Sequence, residues 1–159
     1  MLSGIVYTAR DAAHMKLVNL IKKGQNLPFD LSGQIIYYVG PAPAKPGEII
    51  GSAGPTTSYR MDPLTIPLLK KGLSGTIGKG KRSPKIRKAM KEYKAVYFAV
   101  VGGAAALISE SITRVSTAAY PELGPEAVKK LEVKDFPAIV VNDIYGNDLY
   151  EMRKEEQYK

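Results

Sequence analysis

Short apolar, β-branched runs alternate along this chain with segments of helical period, and glycine or proline marks most junctions between them. Ser3–Thr8 reads as a strand that begins almost at the first residue. Arg10–Lys23 reads as an amphipathic helix with Ala13, Leu17, Val18, Leu20 and Ile21 on its apolar face and Gly24 at its end. Gln34–Val39 is the next strand. Gly40–Gly47 holds three prolines, which have no N–H to give a ladder, and reads as a loop. Ile49–Ala53 reads as a short strand. Asp62 is placed to cap a helix that opens at Pro63, carries Leu64, Ile66, Leu68 and Leu69, and ends near Gly72. Leu73–Ile77 is a strand and Gly78–Lys81 a loop. Ser83 caps a helix from Pro84 to about Tyr93. Ala95–Val101 is a buried strand, Gly102-Gly103 a turn, Ala104–Ser109 a helix and Ile112–Ala119 a strand. Glu126–Leu131 reads as a short helix or turn with a link through Val133–Phe136, Ala138–Asn142 as a strand, and Tyr145–Asp148 as a hairpin-type turn before a charged, frayed end. This interleaving predicts an α/β layered domain. With no repeat, low-complexity tract or linker, residues 1–159 read as a single domain.

The chain has no cysteine, so it forms no disulfide, offers no thiolate to an iron–sulfur cluster and has no thiol nucleophile. His14 is its one histidine, which excludes a multi-histidine metal site within the chain. There is no basic-then-apolar leader, and the longest uncharged apolar run, Ala95–Ile108, is shorter than the roughly 20 residues that cross a bilayer. These features predict a cytoplasmic protein without a membrane partner.

The formal net charge is +8, and ten Lys and Arg residues between Lys70 and Lys94 face only Glu92. Such a run is either an anion or nucleic-acid surface or a solvated helix face, and the second is the ordinary case. Tyr93 is the only aromatic side chain in that stretch, which leaves little for bases to stack on. No nucleic-acid partner is expected.

Three segments carry polar chemistry. In Thr8-Ala9-Arg10-Asp11-Ala12-Ala13-His14, Arg10 stands at a strand-to-helix junction, where its guanidinium can reach a carboxylate in two-point fashion. A cation at a helix N-terminus is unfavourable unless something negative is close, and Asp11 is the obvious local partner. His14, one turn on, can order Arg10 or a ligand, or serve only the core. In Gly54-Pro55-Thr56-Thr57-Ser58-Tyr59-Arg60-Met61-Asp62, a turn, adjacent hydroxyls and a guanidinium lie between a strand and a helix. They can hold an anion or satisfy their own backbone. Gly78-Lys79-Gly80 presents a lysine between glycines, either against a carboxylate or on a plain turn. Neither a Walker pattern nor a Rossmann fingerprint is present.

Taken in order, these three segments resemble the iron–sulfur hydro-lyase family, in particular the β subunit or C-terminal domain of class I fumarate hydratases and L-tartrate dehydratases. Gly102-Gly103-Ala104-Ala105-Ala106-Leu107, Glu122-Leu123-Gly124 and Val133-Lys134-Asp135-Phe136-Pro137-Ala138 resemble later segments of the same family, so the similarity runs through nearly the whole chain. Tyr59 stands where the family pattern has glycine, and the family pattern has a further N-terminal segment before the first strand.

The resemblance implies a swivelling β/β/α domain that docks on a larger, cysteine-bearing α subunit, in an assembly of two α and two β subunits. It implies a 4Fe–4S cluster held by that partner and not by this chain. The implied reaction is the reversible hydration of fumarate to L-malate, with L-tartrate dehydration as the alternative. It implies catalytic roles for Thr56, as base, and Lys79, and substrate-binding roles for Arg10, Arg60, Thr57 and His14.

Overall fold

In the computed structural model, which describes residues 1–101, 103 and 105–152, seven strands form one mixed sheet. The elements in chain order are β1 (Leu2–Thr8), α1 (Asp11–Lys22), β2 (Ile35–Tyr37), α2 (Asp62–Leu69), β3 (Gly75–Gly78), α3 (Pro84–Glu92) and β4 (Val96–Ala99). They continue with α4 (Ala105–Glu110), β5 (Ile112–Ala119), β6 (Val128–Phe136) and β7 (Ile139–Asn142). The sheet order is β5-β6-β1-β2-β3-β4-β7. Strands β1 to β4 are parallel neighbours at its centre, and β6, β5 and β7 add on antiparallel. Parallel neighbours need crossovers, and α1, α2 and α3 supply them.

Those three helices cover one face. Leu17 and Val18 of α1, Leu68 and Leu69 of α2, and Ile86 and Met90 of α3 share a core with Ile36, Tyr38 and Tyr97. On the other face Val6, Tyr37, Ile77, Leu131 and Val133 pack under Ile108 of α4 and under Ile50 and Ala53 of a long loop. The central strands are therefore buried on both sides, and this accounts for the unbroken apolar run Ile35-Ile36-Tyr37-Tyr38-Val39. Helix α1 stops where predicted: Gly24 N–H bonds to Ile21 O at 3.1 Å and Gln25 N–H to Leu20 O at 3.0 Å, with Gly24 at φ +65°. Ser83 Oγ accepts from Ile86 N–H at 3.4 Å to start α3.

The α/β class holds, and three local expectations are corrected. Ile49–Ala53 forms no strand; it is loop, held to the proline-bearing stretch before it by Ala42 N–H on Ser52 O at 3.0 Å but not extended into a ladder, since the prolines there have no N–H, and Ile50 and Ala53 are still buried. The region read as a helix or turn and a link is instead a 3₁₀ segment at Pro121–Glu126 followed by the strand β6. Its pattern misled because Val128 faces the helix side while Leu131, Val133 and Phe136 face the other core, with register shifts that break the two-residue period. Asp62 does not cap α2: its carboxylate accepts from Arg82 Nε at 2.6 Å and from Ser83 N–H at 2.7 Å. Gly102, Ala104 and the charged end beyond residue 152 lie outside the described residues.

Candidate functional site at the carboxyl ends of the parallel strands

Open parallel sheets bind ligands outside the carboxyl ends of their strands. Arg10 follows β1 there, and Lys79 follows β3. The chain leaves β2 through Tyr38, and the Gly54–Asp62 segment returns to lie beside it: Thr56 N–H donates to Tyr38 O at 2.7 Å. Lys79 N–H then donates to Thr56 O at 3.2 Å and Ser58 N–H to Lys79 O at 2.9 Å, so Thr57 and Lys79 form a parallel bridge. Two segments distant in sequence thus become one main-chain seam. Gly78 permits it, since a methyl group there would overlap Ser58 Oγ and stand 3.0 Å from the Tyr38 ring. Thr57 and Lys79 are exposed, and Thr56 is partly so.

Arg10 is the N-cap residue of α1 and caps nothing with its own side chain. A distant carboxylate does the work instead. Glu126, at the end of the 3₁₀ segment, accepts from Ala12 N–H at 2.9 Å and lies 3.5 Å from Arg10 Nη2. Its charge meets the positive end of the helix and offsets the guanidinium. Asp11 lies 3.9 Å from Arg10 Nε and is hydrogen-bonded to Arg60 Nη2. Arg10 packs so closely on Gly40 that a Cβ there would sit 2.7 Å from its Nη1. Burial pulls the Asp11 carboxyl upward, but the Arg60 hydrogen bond and the charges of Arg60 and Arg10 outweigh it and hold the group below its ordinary range. Arg10, Asp11 and Arg60 form one charged group, with Arg60 half exposed. Tyr59 is exposed on the 3₁₀ turn Ser58–Met61 and is not at positive φ, so the backbone there carries a side chain without strain.

His14 lies behind this group and not in it. It is fully buried, with its ring 5.3 Å from that of Tyr38. Its Nδ1 lies 2.9 Å from Arg10 O, and a carbonyl only accepts, so Nδ1 carries the proton and Nε2 is left without a partner. Burial lowers its pKa to about 4, so the ring is neutral.

Beneath the seam is a polar cluster that the sequence did not reveal. Arg82, counted among the solvated cations, is buried, and this corrects the expectation of a solvated face at that position. It bonds Asp62, Thr76 Oγ1 at 2.9 Å and Thr65 Oγ1 at 3.2 Å, with its guanidinium 5.1 Å from the Tyr97 ring and 5.4 Å from that of Tyr38. Arg87 pairs with Asp148 at 2.9 Å and Glu151 at 2.7 Å, and Lys81 lies over Tyr150. The basic run is therefore partly consumed inside the fold, which weakens a nucleic-acid reading. A hollow of about 590 Å³ between the Ala42–Ser52 loop and α4 does not reach the seam. Arg60 borders a smaller one of about 330 Å³ with Tyr59, Pro63, Ile66, Lys85 and Ile86. The seam itself is exposed at Thr57, Lys79 and Gly80 and forms an open edge.

Residues 1–153 match the family model described as Fumarase C-terminus. The chain belongs to the Fumarase C-terminus family. It is 42% identical over 164 residues to a putative L(+)-tartrate dehydratase subunit beta of Methanocaldococcus jannaschii, covering 99% of this chain and 84% of that protein. It is 40% identical over 158 residues to the aerobic class I fumarate hydratase of Salmonella typhimurium and 41% over 152 residues to the anaerobic one of Escherichia coli. Those alignments cover 98% and 94% of this chain but 27% and 28% of the hydratases, so the Fumarase C-terminus domain spans little more than a quarter of their length.

The donor set of this Fumarase C-terminus chain does not fit an iron–sulfur cluster. It has no cysteine, its histidine is buried, and no group of three His, Asp or Glu suited to a metal ion occurs among the described residues. Among them, too, no helix is long and apolar enough to cross a membrane.

Proposed function

We propose that this chain is the β-type half of a hydro-lyase that reversibly hydrates fumarate to L-malate, and that it works only with a cysteine-bearing α subunit that holds a 4Fe–4S cluster. The observation that carries the reading is the Thr57–Lys79 bridge, which sets two polar motifs side by side at the strand ends, next to the Arg10–Asp11–Arg60 group. An open edge of this kind is suited to be one wall of a site completed by another subunit. The beta-subunit name of the archaeal relative, and the greater length of the hydratases, support a partner.

In this reading Arg10, Arg60 and Lys79 bind the dicarboxylate, with Thr57 as a further donor. Dehydration of malate removes a proton from the carbon next to one carboxylate, expels hydroxide from the neighbouring carbon and leaves the double bond. Hydration runs the same path backwards. In the same reading Thr56 is the base at the reacting carbon. The extra negative charge that collects on the carboxylate during proton removal is met by the cations of this wall. His14 acts on Arg10 through its carbonyl, which replaces the substrate-contacting role expected for it by a positioning one.

The alternative within this reading is L-tartrate dehydration, favoured by the near full-length similarity to the archaeal subunit. Co-expression with the cysteine-bearing subunit under anaerobic conditions, followed by turnover of fumarate and of L-tartrate side by side, separates the two. Arg60→Ala should remove most of kcat/KM on the true substrate; full activity in that variant would refute the site.

A further inference from the structure

The seam between the Thr56–Ser58 segment and Lys79 consists of two hydrogen bonds, and Lys79 lies between two glycines, the second at φ +80°. A chain so free to turn would not by itself hold the lysine still. One side chain closes the seam from the buried side. Tyr97, from β4, donates its hydroxyl to Gly80 O at 2.8 Å, and its oxygen lies 3.0 Å from Ser58 Oγ. A phenol has one proton and a carbonyl only accepts, so the Tyr97 proton goes to Gly80 and Ser58 donates to Tyr97. The one hydroxyl thus ties the residue after Lys79 to the residue after Thr57.

We infer that Tyr97 is the positioning residue for Lys79, acting through its hydroxyl on Gly80 and Ser58. The inference rests on the proposed role of Lys79 at the substrate. Tyr97 and Ser58 are both fully buried, so water does not replace the bond between them, while the bond to Gly80 O is part-buried. The ring is held in turn. Arg82 lies against its face and is itself fixed by Asp62, Thr65 and Thr76, so the phenol has no room to swing away. Burial raises the Tyr97 phenol far above its ordinary range, which keeps the donor proton in place at any working pH. The ring serves the core, but among the described residues the hydroxyl hydrogen-bonds the two segments that carry Thr56, Thr57 and Lys79.

Tyr97→Phe keeps the ring and removes the tie. It should be compared with Lys79→Ala and with the double variant in the assembled two-subunit enzyme, with kcat, KM, melting temperature and subunit ratio measured for each. Misplacing a binding group by about an ångström lowers kcat/KM by roughly 10- to 100-fold. That loss is expected for Tyr97→Phe, divided between a raised KM and a lowered kcat as in Lys79→Ala, and it should vanish in the Lys79→Ala background. A purely structural role would change the yield of assembled enzyme and leave KM alone. If Tyr97→Phe stays within about twofold of the parent, or its loss adds in full to that of Lys79→Ala, the inference is overturned while the role of Lys79 stands. If Lys79→Ala is itself fully active, the substrate site is wrong and the inference falls with it. Should Tyr97→Phe fail to assemble, Ser58→Ala removes the other bond to the same hydroxyl and is judged by the same non-additivity.

Discussion

The Asp11 carboxylate accepts a hydrogen bond from the Arg60 guanidinium across 49 residues of sequence. It also faces Arg10, so one anion stands between two cations proposed to bind a dianion. Asp11→Asn keeps an acceptor for Arg60 and removes the charge. Relieved of this competing, partly screened charge, the cations should bind substrate better, with KM falling by about fivefold at low ionic strength and less at high salt. Asp11→Ala, which removes the acceptor as well, should lower kcat instead. Steady-state kinetics at two salt concentrations test both.

His14 makes stability depend on pH. Its folded pKa is depressed from 6.5 to about 4, so below 6.5 the unfolded chain takes up a proton that the native chain refuses. Stability should therefore be highest above pH 6.5, fall as pH drops toward 4 and flatten below it with respect to this group. The loss is on the order of 3 kcal/mol. Urea midpoints across this range should show the slope in the parent and lack it in His14→Gln.

Removing the partner of a buried guanidinium leaves a charge with nowhere to go. Asp62→Ala should destabilise the fold by about 3–5 kcal/mol, far more than loss of an exposed ion pair such as Lys16–Glu122. Thermal unfolding of Asp62→Ala beside Glu122→Ala measures the contrast.

Gly78→Ala inserts a methyl group into the space of Ser58 Oγ. Overpacking of this kind costs about 1–3 kcal/mol. The larger effect should be on catalysis, because the displaced Ser58 lies on the seam. The assembled variant should retain its fold by circular dichroism and lose most of its turnover.

Much of this architecture was legible because its signals are local. β-branched runs, helical periods, Ser83-Pro84 and Gly24 act within a few residues, and apart from Ile49–Ala53 the corresponding elements lie near where they were read. The three polar segments were legible as chemistry, and the fold sets two of them edge to edge. What escaped depends on distant partners. Arg82 stands in a basic run like any surface cation, and it is Asp62, Thr65, Thr76 and the rings of Tyr38 and Tyr97 that make it a buried one. Glu126 gave no sign of its role because the helix start it serves lies 114 residues away. β6 moves from one core to the other, which erases the alternation by which strands are recognised. Tyr97 offered one weak signal: a phenol in an apolar strand needs a partner for its oxygen.

The bridge between Thr57 and Lys79 is drawn entirely in peptide groups. Its spacing is indifferent to which side chains project from it. Residues at those two positions can be exchanged for longer, shorter or differently charged ones while the frame that sets them apart stays unchanged. With Tyr97 closing it from the buried side, such a frame is a fixed ruler with replaceable marks: what the edge presents to a ligand can be rewritten without reopening the problem of folding.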